Sequence, residues 1–149
     1  MLGQLESADR IVIADMEAGA GTLTRMQAGS LDIAVLVGEP SAKSIEVARR
    51  ASEIIRDRRI GMVVAAANRV RDDADLDLVR QRLPGLEITA VPDDERITRA
   101  DREGRSPLDA AADAPAVRAV AELARRLERL RSPRAAASAP PAAHPCRRY

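Results

Sequence analysis

Four stretches of aliphatic, mostly β-branched residues punctuate this chain, at residues 11–14 (IVIA), 31–37 (LDIAVLV), 60–67 (IGMVVAAA) and 86–91 (LEITAV). None keeps the strict apolar–polar alternation of a strand with one wet face, so each suits a strand covered on both faces, as in a parallel sheet. Between them lie segments whose apolar residues recur at helical spacing. Ile45, Ala48, Ala51 or Ser52, and Ile55 follow Ser41 and Ser44, either of which can cap a helix reaching about Arg58. Asp73 caps a short helix carrying Leu76, Val79 and Leu83, which Pro84 and Gly85 stop. Glu95 to Glu103 form a further helix with Gly104 as its C-cap. Asp113 and Pro115 then open a last one striped by Val117, Val120, Leu123 or Ala124, Leu127 and Leu130. Strand–helix alternation with short loops predicts an α/β fold, a mostly parallel sheet of about four strands with right-handed helical crossovers.

Such a sheet brings the carboxyl ends of its strands to one edge, which is where ligands bind in open α/β folds. The residues that follow the four runs are Asp15, Glu39, Asn68 with Arg69, and Pro92 with Asp93 and Asp94. All are therefore expected along one crevice. A carboxylate there can hold a magnesium ion directly or through water, and an amide carries the donor and acceptor that read a purine edge. The proline turn offers backbone groups and a wall to a flat base. Glu17, Gly19 and Gly21 follow Asp15 in the arrangement expected of a magnesium–nucleotide site; the alternative is an Asp15 that caps a helix starting near Thr22.

Composition removes several other functions. Tyr149 is the only aromatic residue, so stacking platforms for single-stranded nucleic acid cannot be built. The net charge is +1 with acids and arginines interspersed, so no nucleic-acid partner is expected. Cys146 is the only cysteine, which excludes an internal disulfide and a multi-thiolate metal site, and His144 beside it makes only a weak ligand pair. No run approaches the ~18 apolar residues of a membrane span, and the start, MLGQLESADR, lacks the form of a signal peptide. A soluble, cytoplasmic protein without a membrane partner is the expectation. Residues 132–149 are dense in alanine and proline and read as a disordered tail.

One loop imitates a phosphate cradle. Gly38-Glu-Pro-Ser-Ala-Lys43-Ser44 joins a strand to a helix and holds the only lysine, but Ala42 stands where the second glycine of G-x-x-x-x-G-K-[ST] belongs, one residue short. Pro40 also removes a backbone donor. An ordinary strand-to-helix turn with a serine cap is expected there.

Taken together, IVIADMEAGAGTLTR, VGEPSAKSIEVARRA, VVAAANRVRDD and AVPDDERITRADREGRSPL resemble the second half of a MinD/ParA-type P-loop ATPase. The branch is that of the carbon monoxide dehydrogenase maturation ATPases, relatives of the nitrogenase iron protein, and the resemblance covers about residues 9–130. It implies a partial doubly wound, P-loop NTPase-like domain over residues 1–131 that lacks the N-terminal P-loop half. By this resemblance Asp15 is the Walker B carboxylate that orders a magnesium-bound water, and Glu17, Ala18 and Gly19 form the switch loop sensing the γ-phosphate. Asn68 would hydrogen-bond adenine with Arg69 packed beside the base, while Pro92, Asp93 and Asp94 would border it through their backbone. ATP and magnesium are the implied cofactors.

The departures matter as much. The glycine-rich loop and its phosphate-neutralising lysine, with which such ATPases begin, are not in these 149 residues, nor is the cysteine-x-cysteine pair of some maturation ATPases. The family's strand order would set the missing strand between the runs at 11 and 31. Either those two pair directly or another polypeptide fills the slot, since unpaired edges inside a sheet are costly. The expected function is the C-terminal portion of an ATP-hydrolysing protein, inactive alone, with a homodimer, a P-loop-bearing partner chain or a metalloenzyme client as implied partners. The other reading is a non-catalytic interaction module that keeps the fold.

Overall fold

Three of the four aliphatic runs become strands, and each passes its polar tail to a capped helix. The computed structural model describes residues 11–16 and 20–130. After α1 (Ala20–Leu23) come β1 (Ile33–Gly38), α2 (Ala42–Asp57), β2 (Met62–Val70), α3 (Asp73–Arg82), β3 (Ile88–Pro92), α4 (Glu95–Arg102), α5 (Pro107–Ala110) and α6 (Pro115–Leu130). The strands lie in the order β1-β2-β3, all parallel, with Val35 opposite Val64, Val37 opposite Ala66 and Asn68 opposite Val91. The α/β class and the parallel sheet are those the sequence pattern predicts.

Capping chemistry sets the helix starts. Ser41 accepts from the Ser44 N–H at the head of α2, Asp94 from the Arg96 N–H at α4, and Ser106 from the Leu108 N–H at α5. At α3 the cap is Asp72, which accepts from the Asp75 N–H, one residue earlier than expected. Gly104 follows the C-cap Glu103 with φ 64°, and Gly85 after α3 has φ 71°, a conformation that glycine adopts without a Cβ penalty.

The helical stripes bury what the spacing predicts on one face of the sheet. Ile45 and Ala48 of α2 meet Ala65 and Ala67 of β2 together with Val79 and Leu83 of α3. Farther along the same face, Ile55 and Ile60 are fully buried beside Ala34, with Leu23, Met26 and Leu31 against them. Neighbouring residues of a strand point to opposite faces, so Val64, Ala66 and Val91 face the other side, and all three are buried. α6 packs on β3 there. Val120 of its expected stripe is instead exposed.

The run at residues 11–14 is the main correction. These residues adopt no strand, and Ile11, Val12 and Ile13 are exposed. The β-branched composition is right for a strand, but a strand exists only where a neighbour takes its hydrogen bonds, and no described segment pairs with this one. The sheet therefore has three strands among the described residues, and the direct pairing of the runs at 11 and 31 does not occur. The expected tail at 132–149 lies outside the described residues.

Gly61 fixes how closely the starts of β1 and β2 approach. A Cβ there would lie 2.6 Å from the Leu31 carbonyl oxygen, and Leu31 in turn donates its N–H to the Ile60 carbonyl at 3.1 Å. Gly61→Ala is expected to lower stability by about 1–3 kcal/mol through this overpacking. Urea unfolding measures it as a lower midpoint with an unchanged slope.

Candidate functional site at the carboxyl edge of the sheet

The three strand ends meet where the sequence places its polar residues. β1 hands over to Glu39, β2 runs out through Asn68 and Arg69, and β3 ends at Pro92 ahead of Asp93. The register of β2 against β3 slips between Asn68 and Val70, so Arg69 is an extra residue that bulges out of the ladder. Its φ is 59°, in the left-handed region that costs a residue with a Cβ roughly 1 kcal/mol. From that position its guanidinium spans the rim. Nε donates to Asp93 Oδ1 at 3.3 Å, and Nη1 lies 3.6 Å from Glu39 Oε1. All three side chains are exposed, so the bracket adds little to stability. What it does is hold a flat cation across the ends of all three strands, beside the half-buried Asn68.

Acids near the rim divide into two kinds. Asp93 turns its carboxylate to Arg69 while its N–H donates to the Val70 carbonyl at 2.9 Å, which closes the gap after the bulge. Asp94 is instead committed to α4. It accepts from the Arg96 N–H at 2.9 Å and pairs with the Arg96 guanidinium, and that backbone donor, then the guanidinium, hold its carboxyl below the usual carboxylate range. Arg96 reaches on to Asp113 at 3.1 Å and ties α4 to the segment before α6.

Directly behind the rim, Arg71 grips Asp75 with Nε at 2.8 Å and Nη2 at 2.9 Å, and its own N–H donates to the same carboxylate at 3.0 Å. The guanidinium first, then the backbone N–H, bring the Asp75 carboxyl down to about 2. This clamp fixes the exit of β2. Arginine and aspartate four residues apart were its signal in the sequence, hidden among many such pairs.

The loop that imitates a phosphate cradle is closed on itself. The Glu39 N–H donates to Ser44 Oγ at 3.0 Å, the Ser44 N–H to Ser41 Oγ at 3.3 Å, and the Ser41 N–H to the Glu39 carbonyl at 2.7 Å. These three donors are spent on the turn, as the serine-cap reading expects. The cavity beneath, lined by Leu36, Ile45, Ala66 and Val79, is about 10 Å³, too small for a ligand.

The remaining expected site residues are not joined to this cluster. Asp15 is exposed in the irregular segment of residues 11–16, and none of the ion pairs among the described residues involves it. Glu17 and Gly19 lie outside the described residues. Among the described residues no group of three His, Cys, Asp or Glu could hold a metal ion, and no helix is long and apolar enough to cross a membrane.

A parallel sheet with helices on its faces and polar strand ends along one rim is an open α/β arrangement, and the P-loop NTPase-like form of it is found among solved structures. The chain superimposes on MinD in the MinC:MinD cell division protein complex of Aquifex aeolicus with a TM-score of 0.55 and 20% identity, over 80% of this chain and 47% of that one. In sequence it is 34% identical over 101 residues to an uncharacterised ATP-binding protein of Methanocaldococcus jannaschii, across 65% of this chain and 39% of that protein. It is 31% identical over 99 residues to the carbon monoxide dehydrogenase accessory protein CooC of Rhodospirillum rubrum, across 66% of this chain and 38% of that protein. No protein-family model matches. Over about two thirds of its length the chain thus matches the MinD/ParA-type P-loop ATPases related to carbon monoxide dehydrogenase accessory proteins, and it spans about two fifths of the length of these relatives.

Two outcomes follow from the rim geometry. Because the left-handed φ at Arg69 suits glycine, Arg69→Gly is expected to be more stable than Arg69→Ala by about 1 kcal/mol, as read by thermal or urea unfolding of the two variants. Asp75 has a lowered pKa, so its stabilisation is complete above the ordinary carboxylate range and is lost as pH falls through about 2. Unfolding curves between pH 5 and pH 2 should show a steeper acid loss for the native chain than for Asp75→Asn, with Asp75→Asn the less stable at pH 7.

Proposed function

We propose that this chain is the base-binding part of an ATP-dependent MinD/ParA-type protein, with the rim of Glu39, Asn68, Arg69, Pro92 and Asp93 as the adenine site. The observation that carries the reading is the Arg69 bracket. A strained arginine is held flat between Glu39 and Asp93, next to an amide at a strand end. A planar guanidinium stacks on an aromatic base, and the Asn68 amide, which makes no hydrogen bond to protein among the described residues, has both a donor and an acceptor to offer the purine edge. Pro92 and the backbone of Asp93 and Asp94 would border the base. The relatives supply the nucleotide, since one of them is named for binding ATP.

Magnesium fits the residues in a limited way. It keeps most of its waters and takes one or two carboxylates besides the phosphates, and Asp15 is an exposed carboxylate of that kind. Bound beside the phosphates, the ion would supply charge neutralisation. Asp15 would order one of its waters, with Glu17 and Gly19 in the loop that senses the terminal phosphate. Lys43, the only lysine, lies in the first turn of α2 behind the closed serine turn. These 149 residues therefore hold the base end of a nucleotide site and lack the lysine-bearing cradle from which most transition-state stabilisation comes. We infer no hydrolysis by these 149 residues alone; activity would need a P-loop-bearing segment, whether in the same polypeptide or in another. A metalloenzyme client is the corresponding proposal from the relative that is a carbon monoxide dehydrogenase accessory protein.

Calorimetric titration tests the reading. The chain should bind ADP and ATP with Kd of order 1 mM, with guanine nucleotides weaker, and Asn68→Ala should weaken adenine nucleotides about tenfold, the worth of a lost base-edge pair. Nucleotide binding indifferent to Asn68 and Arg69 would overturn the adenine site. Tight, magnesium-dependent ATP binding by the chain alone would overturn the division of labour.

A further inference from the structure

Among the described residues, left-handed backbone at a residue with a Cβ occurs at Arg69 on the rim and at Arg59, φ 53°, at the opposite end of the sheet. Arg59 stands just past the end of α2, in a complete Schellman turn. Its N–H donates to the Arg56 carbonyl at 3.0 Å and the Ile60 N–H donates to the Ile55 carbonyl at 3.0 Å. Ile55 and Ile60 are fully buried, the apolar pair that accompanies such a turn. Glycine fits there without strain, and the chain has Gly104 in the matching place after α4. The turn itself gives no reason for an arginine; the charge it adds to this edge does.

That charge has company. The segments that lead into the strands are tied to one another at this edge. The Gly29 N–H donates to the Arg59 carbonyl at 2.8 Å and the Leu31 N–H to the Ile60 carbonyl at 3.1 Å, while Arg56 Nη2 donates to the Gly85 carbonyl at 3.0 Å. Arg25, Arg56, Arg58, Arg59 and Arg82 are therefore carried by three adjoining segments, and all five are exposed. Other arginines are paired, Arg50 with Glu46, Arg71 with Asp75 and Arg96 with Asp94. None of the ion pairs among the described residues involves these five. The helix dipole accounts for Arg56 and Arg82, which sit in last turns, but Arg25, Arg58 and Arg59 lie beyond the helix ends. Asp32 and Asp57 are exposed acids beside them, and Glu87 is taken by Arg126.

We propose that this amino edge of the sheet is a docking surface for an acidic segment of a partner protein, gripped by Arg25, Arg56, Arg58, Arg59 and Arg82. A guanidinium presents a fixed fork of donors that meets a carboxylate with two bonds at once. Five of them on three segments match a run of glutamates or aspartates laid across the strand starts. A nucleic acid fits less well. A duplex carries a phosphate about every 1.7 Å of its axis and would press Asp32 and Asp57 against that charge. With Tyr149 as the only aromatic residue there is no platform for unstacked bases. A polypeptide can space its carboxylates to avoid the two acids. The surface lies at the opposite end of the strands from Asn68 and Arg69, so a partner held there leaves the proposed adenine rim open, and the proposal does not depend on what that rim binds.

Fluorescence anisotropy with a labelled oligo-glutamate peptide tests it on the full chain in nucleotide-free buffer. The peptide should bind at low ionic strength and leave as salt is raised, and an oligo-glutamine peptide of the same length should not bind. Arg58→Glu should weaken the complex about tenfold and Arg59→Gly about threefold. Arg59→Gly carries the sharper contrast. Relief of the left-handed backbone keeps its thermal midpoint at or above that of the native chain, so its loss of binding is not a loss of fold. Lys43→Glu, a reversal of charge at the other end of α2, should leave the complex unchanged. Absence of binding at low salt, a complex indifferent to Arg58→Glu and Arg59→Gly, or an equal loss on Lys43→Glu would overturn the proposal. A DNA duplex held more tightly than the peptide through the same arginines would overturn the choice of partner.

Discussion

The pairing of β2 with strands on both sides is the constraint from which the rest of the molecule follows. Its run of alanines is small enough for α2 and α3 to seat Ile45, Ala48, Val79 and Leu83 directly against the sheet. The same strand continues past the end of β1, through Asn68, until Arg69 breaks the ladder. A strand that is buried for most of its length and strained at its tip is a rigid arm with a presented end. Everything gathered on the rim is positioned by that arm. The clamp of Arg71 on Asp75 fixes the chain immediately behind it, so the bulge is held from both sides.

Local signals made much of this legible. The aliphatic runs at 31, 60 and 86 became strands, and the stripes in α2 and α3 buried the residues that their spacing names, because apolar periodicity and serine or aspartate caps act within a few residues of themselves. The run at residues 11–14 shows the limit. Its composition is that of a strand, but a strand is a relation between two segments, and the second one is not among the described residues. The short helix at Pro107–Ala110 was illegible for another reason, since a single turn carries no period.

On the rim, the sequence supplied residue types but not their allegiances. Asp93 and Asp94 are adjacent and chemically identical, but one meets Arg69 across the rim while the other caps α4 and pairs with Arg96. Only the direction in which the backbone leaves β3 separates them. Likewise, nothing in the letters Asn-Arg-Val foretold a left-handed arginine. That conformation arises because β2 must shift register to bring Val70 opposite Pro92, and the displaced residue takes the strain.

The unblunted first strand also bears on how such a protein can be made in a cell. A smooth aliphatic edge beside a bare valine face invites any other extended chain to add to it, so copies that emerge in excess would coagulate or be cleared by proteases. Among the described residues this edge is therefore the place where a misfolded neighbour would first attach, and anything that shields it would lower that propensity.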